Sequence, residues 1–130
     1  MAKQKYGEII NVSTDHVKPA PGSFRHHGHG SMDLYNASKW ALNGLAFDWA
    51  KALAENNVRI NNLCIGATDT EMIRSWSGPN PDPKWVESWM KPEETAEVLV
   101  QLLLEGPDGR TGDNIGLYAG HPCVLPEPEK

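Results

Sequence analysis

Tyr35 and Lys39 stand four residues apart in the run Tyr35-Asn36-Ala37-Ser38-Lys39. On a helix, positions i and i+4 share a face, so a phenol and an ammonium there reach toward a common point. An ammonium ~4 Å from a developing phenolate is favourable by roughly 4 kcal/mol at an effective dielectric of about 20. A phenol assisted in this way can pass protons near neutral pH, as general acid–base catalysis requires. The same pair would also serve as a plain exposed aromatic–lysine contact, so the elements around it decide.

Those elements read clearly. Glu8-Ile9-Ile10-Asn11-Val12-Ser13 follows Gly7 and is a β-branched run suited to a strand buried on both faces. Asp15 to Gly30 is rich in Pro, Gly and His and reads as a long loop, of a length that goes with function or disorder. A helix is expected from Met32 or Asp33 to Asn56. It is apolar nearly all round, carrying Leu34, Trp40, Leu42, Leu45, Phe47, Trp49 and Leu53. Such a helix needs cover on two sides: a sheet below and a partner subunit above, or the core of one larger domain. Val58-Arg59-Ile60-Asn61-Asn62-Leu63-Cys64-Ile65 is a second strand, closed by Gly66. Pro92 opens a helix through Leu104, with Glu93, Glu94 and Glu97 suited to its amino-terminal end. After the turn Gly106-Pro107-Asp108-Gly109, Asn114-Ile115-Gly116-Leu117-Tyr118 forms the last strand. Strands alternating with helices predict a parallel sheet in an α/β fold, with neither an internal repeat nor a second domain.

Composition narrows the function. The chain has 130 residues, enough for one modest domain. No run approaches the ~18 apolar residues of a membrane span. The first eight residues lack the apolar core of a signal peptide. Cys64 and Cys123 lie far apart in no metal-ligand spacing, which favours reduced thiols in the cytoplasm while leaving a bridge open. A net charge of −5 with scattered basic residues argues against a nucleic-acid-binding face. His26, His27 and His29, with His16 nearby, invite a metal, but their spacing matches no defined site and none is assigned. Their loop joins the first strand to the long helix, so one of these histidines or Arg25 is expected to contact a polar group of a substrate.

Five segments occur in a telling order: Ile10-Asn11-Val12-Ser13-Thr14, Tyr35 to Lys39, Val58-Arg59-Ile60-Asn61, Gly66-Ala67-Thr68-Asp69-Thr70-Glu71-Met72, and Arg110-Thr111-Gly112. Together they resemble the short-chain dehydrogenase/reductase family, from Gly7 to about Gly120. The resemblance implies a partial Rossmann-like sheet of about three strands, with residues 1–130 forming the carboxyl-terminal half of a single NAD(P)-binding domain. The family's glycine-rich pyrophosphate loop, the residue selecting NAD or NADP, and the helix asparagine of its proton relay all belong upstream of Gly7. Met1 then reads as an internal methionine of a longer frame.

By resemblance, Tyr35 is the general acid–base and Lys39 assists it and bonds the nicotinamide ribose. The hydroxyl that bonds the substrate carbonyl falls on Thr14, with Ser13 as the alternative. Neighbouring strand residues point to opposite faces, so only one of the two can face the site. Gly66 would let the backbone approach the nicotinamide closely. Thr70 matches the threonine that bonds the carboxamide, and Thr68 a position whose main chain does so. Ile65 stands where the family usually has proline. Trp76, Trp85, Trp89 and Met90 lie in the family's variable substrate-covering segment, and suit an apolar or ring-bearing substrate or the protein's own core. The implied activity is interconversion of an alcohol and a carbonyl by hydride transfer with NAD or NADP, in an oligomer paired through helix 33–56. One alternative is a truncated or complementing non-catalytic fragment, whose first strand would expose an edge. Another is a small metal- or ligand-binding module built on the histidine loop.

Overall fold

The computed structural model describes residues 1–21 and 32–128. Three strands, β1 (Gly7–Thr14), β2 (Val58–Ile65) and β3 (Asn114–Leu117), form one parallel sheet in the order β1-β2-β3. The register runs Gly7↔Val58 through Thr14↔Ile65, then Asn62↔Asn114 through Ile65↔Leu117. Helix α1 (Asp33–Ala54) follows β1; α2 (Glu71–Trp76), α3 (Pro83–Glu87) and α4 (Pro92–Leu104) lie between β2 and β3. The bounds of β2 and α4 are those expected from sequence. The short helices α2 and α3 were not foreseen within the substrate-covering segment; each starts on a side-chain cap, from Thr70 and Asp82.

Side chains alternate across the pleat, and the two faces differ in kind. On one face Leu63, Ile115 and Leu117 meet Val98 and Leu102 of α4, with Met90 beneath, in a buried apolar core. Burying side chains of this size contributes roughly 1.5–3 kcal/mol each. Met90 and Trp89 are thus part of the protein's interior, while Trp76 and Trp85 stay exposed.

The other face carries α1, where Leu42, Leu45 and Leu53 are half-buried. The fully buried residues of α1 are Asn43 and Ala46. Leu34, Phe47, Trp40 and Trp49 point outward, with Leu34 88% exposed. Near the carboxyl end of α1 the chain comes close. Gly112 has φ +85, and a Cβ there would lie 3.0 Å from Ala50 Cβ, so helix and chain approach too closely for large side chains.

At the amino-terminal end of the strands a buried ion network ties these layers together. Arg59 Nη2 lies 2.6 Å from Glu8 Oε2 and donates to Leu102 O at 3.0 Å. Arg59 Nη1 donates to Arg110 O at 3.1 Å and stands 3.3 Å from Glu105 Oε2. Arg110 Nε donates to Glu105 Oε1 at 2.7 Å. Burial pushes the Glu8 carboxyl up despite Arg59 beside it. Burial pushes Glu105 the same way, but hydrogen bonds from Arg110 outweigh it and hold Glu105 below the usual range.

Candidate active site

A parallel sheet brings every strand's carboxyl end to one rim, and β1 delivers Ser13 and Thr14 there. Both are buried. Ser13 turns to the α1 side and donates to Asn43 Oδ1 at 2.8 Å; Asn43 Nδ2 donates in turn to Cys64 Sγ at 3.7 Å. Thr14 takes the opposite side, as the pleat requires. Its hydroxyl donates to Asp15 Oδ1 at 3.3 Å and accepts from His16 N at 3.4 Å. The two hydroxyls left open by sequence are therefore separated: one serves helix docking, the other lies in the rim with Asp15 and His16.

The opening of α1 adds the aromatic and the ammonium. Tyr35 is 41% exposed, and the His16 ring meets its ring edge-on at a centroid distance of 6.3 Å. His16 is itself held by Asn36, with Nδ1 3.1 Å from Asn36 Oδ1. Lys39 Nζ lies 5.5 Å from the centre of the Tyr35 ring, so the two share a face as the spacing predicts. Its hydrogen bond, however, goes to Val12 O at 2.8 Å. Asp15 N pairs with Ile65 O, so the odd-numbered backbone groups of β1 face β2 and those of Val12 face away. Beside β1 on that side no strand lies among the described residues, and the lysine supplies the missing donor.

Beyond β2 the turn 66–70 completes the rim. Gly66 N donates to Leu117 O at 2.8 Å. A Cβ on Gly66 would lie 2.7 Å from Asp15 Oδ2 and 3.1 Å from Leu117 O, so a side chain there would displace the Asp15 carboxyl. Asp15 was not singled out from sequence; its importance comes from the fold, which wedges a carboxyl between Thr14 and Gly66. Burial pushes that carboxyl up, with His16 pulling it down less strongly. Thr68 Oγ1 donates to Gly66 O at 3.1 Å, and Thr70 Oγ1 accepts from Ile73 N at 3.4 Å as the cap of α2. Both hydroxyls thus make the local bonds usual for turn threonines. Asp69 and Arg74 form a bidentate exposed pair at 2.5 and 2.6 Å, which holds Asp69 below the usual carboxylate range.

Arg25, His26, His27 and His29 lie outside the described residues. Among the described residues no three His, Cys, Asp or Glu side chains gather as metal ligands would, and both cysteines are free. No helix among them is long and apolar enough to cross a membrane.

A family profile described as short chain dehydrogenase matches residues 1–80, which span β1, α1, β2 and the turn after it. The chain belongs to the short-chain dehydrogenase family. It is 31% identical over 124 residues to the 3-oxoacyl-[acyl-carrier-protein] reductase FabG of Thermotoga maritima, covering 92% of this chain and 47% of that protein. It is 33% identical over 127 residues to Dehydrogenase/reductase SDR family member 4 of Bos taurus, covering 92% and 42%. Among solved structures, acetoin dehydrogenase YohF from Salmonella typhimurium superposes with a TM-score of 0.66 at 26% identity, over 92% of this chain and 44% of that one. This short-chain dehydrogenase sequence therefore spans a little under half the length of the relatives it matches. The three-stranded parallel sheet with flanking helices is the Rossmann-like arrangement expected.

Proposed function

We propose that residues 1–130 form the carboxyl-terminal half of an NAD(P)-binding domain and carry the proton-transfer groups of an alcohol–carbonyl oxidoreductase. The observation behind this is the gathering of Thr14, His16, Tyr35 and Lys39 where β1 ends and α1 begins, with Lys39 Nζ 5.5 Å from the Tyr35 ring. In oxidation, the substrate hydroxyl would bond Thr14 Oγ1 and lose its proton to the phenolate of Tyr35. Lys39, on the same face of α1, would hydrogen-bond the nicotinamide ribose. Bound nicotinamide would accept the hydride from the carbinol carbon, leaving a carbonyl. Reduction runs the same steps backward, with Tyr35 giving its proton to the carbonyl oxygen.

Gly66 supports the cofactor's place, because its bare Cα allows a close approach that any side chain would block. Thr68 and Thr70 border it, and either would exchange its local hydrogen bond for one to the cofactor. Asp15 stands in that approach, so cofactor binding would move its side chain. Exposed Leu34, Trp40, Phe47 and Trp49 on α1 suit pairing with a second copy, and free thiols at Cys64 and Cys123 suit the cytoplasm.

One observation favours a second reading, in which the chain is inactive until another polypeptide completes the sheet. Lys39 is held on the carbonyl of Val12 at the edge of β1 that no strand covers among the described residues. A strand added there would take that carbonyl and release the ammonium toward Tyr35 and the ribose.

The test is nicotinamide-linked turnover of a small alcohol panel by the purified chain and its Tyr35→Phe variant, each alone and with the amino-terminal half of the Thermotoga relative. Loss of the phenol should lower the rate by at least ~100-fold. A Tyr35→Phe chain as active as the parent would contradict the proposal.

A further inference from the structure

We infer that α1 is set in register on the sheet by two polar clamps, centred on Asn62 and Asn43, and that these are positioning residues for Tyr35 and Lys39. The inference rests on the role proposed for that pair but concerns different residues. Mid-sheet, on the α1 face, three asparagines stand in strict register, Asn11 opposite Asn62 and Asn62 opposite Asn114. Their amides form a ladder across the three strands. Asn11 Nδ2 donates to Asn62 Oδ1 at 2.9 Å, and Asn62 Nδ2 donates to Asn114 Oδ1 at 2.6 Å. Asn62 Nδ2 also donates to the main-chain carbonyl of Leu42 at 3.2 Å. Both hydrogens and the oxygen of this amide are thus engaged, which fixes its rotamer.

The second clamp is one residue further along the helix and one layer nearer the rim. Asn43 Oδ1 accepts from Ser13 Oγ at 2.8 Å, while Nδ2 donates to Cys64 Sγ at 3.7 Å. All of this lies in the interior: Asn62 is 0% exposed, Asn43 5% and Ser13 3%. Directional bonds of this kind fix both the height and the rotation of a helix, whereas apolar contacts tolerate slippage. Tyr35, Lys39 and Asn43 occupy positions i, i+4 and i+8, so the clamped asparagine continues the row that carries the phenol and the ammonium. Rotation about α1 would carry the whole row off the rim together. The adjacent Asn61 points the other way, into the Arg59 network, and donates to Arg110 O at 2.9 Å.

The experiment compares the parent chain with Asn62→Leu and Asn43→Leu by nuclear magnetic resonance with labelled tyrosine. It reads through-space cross-peaks from the Tyr35 ring to His16, which lies outside α1, against core cross-peaks among Leu63, Leu102 and Leu117. Both variants are near-isosteric and should keep the core peaks, while the Tyr35 peaks weaken several-fold. Asn114→Val, which spares the Leu42 and Ser13 bonds, should retain them. Full-strength Tyr35 peaks in either folded clamp variant would overturn the inference. So would unfolding of both clamp variants, because positioning requires a folded chain with a displaced helix. The cross-peaks do not depend on turnover, so failure of the proposed chemistry for Tyr35 would leave this result standing.

Discussion

The two ends of the sheet use the same residue types, acids, bases and amides, and hold them in opposite ways. At the amino-terminal end Arg59 is buried and bonded on every side to Glu8, Glu105, Leu102 O and Arg110 O. At the carboxyl-terminal end His16 and Tyr35 are exposed, Thr14 is bonded only to its neighbours in sequence, and Asp15 is held with an unfavourable burial of its carboxyl. A saturated ion network leaves no group free for chemistry and serves the fold. Groups that keep exposure and spare bonding capacity are the ones able to meet a substrate.

The largest expected effect breaks the saturated end. Arg59→Ala strands the carboxylate of Glu8 in the interior, while Glu105 keeps Arg110, and removing one partner of a buried pair costs about 3–5 kcal/mol. Urea unfolding measures it. Joint replacement, Arg59→Met with Glu8→Leu, should recover much of that loss, since no buried charge then faces Arg59's site alone. If Arg59→Ala unfolds at the parent's midpoint, the two ends are not different in kind.

Tyr35→Phe sharpens the contrast from the other side. It should abolish turnover while moving stability by no more than ~0.5 kcal/mol, as expected for a half-exposed side chain.

The smallest effect is at Asp15. Its carboxyl is raised in the folded chain, so the native state holds that proton more tightly than the unfolded chain does. The stability it contributes is complete below the unfolded carboxyl range and is lost as pH rises through the raised value. Asp15→Asn should therefore raise the melting temperature by a few degrees at neutral pH and do little in acid. A melting temperature unchanged at neutral pH would contradict the burial argument.

Much of this was legible in the residues. Strand β2 and helix α4 follow from an apolar β-branched run closed by Gly66 and from Pro92 with its acidic first turn, which are local signals. The Tyr35–Lys39 spacing placed both groups on one face without any knowledge of the sheet. What stayed hidden depended on partners distant in sequence. Apolar counting showed that α1 is apolar on more than one side, but not that its most buried positions are Asn43 and Ala46 and that its tryptophans turn outward. The diversion of Lys39 to Val12 O depends on which edge of β1 lacks a neighbour, and strand order is not written in local pattern. Asp15 looked like one more loop residue until the turn at Gly66 was brought against it.

The central claim is that the rim at the carboxyl ends of the strands is the working end of the molecule. Titrating NAD and NADP into the isotope-labelled chain, followed by backbone amide shifts, tests it most directly. The largest shifts are expected at residues 14–16, 35–39 and 66–70, with Glu8, Arg59 and Glu105 unmoved. Shifts confined to the Arg59 end, or none at the rim at saturating nucleotide, would contradict it.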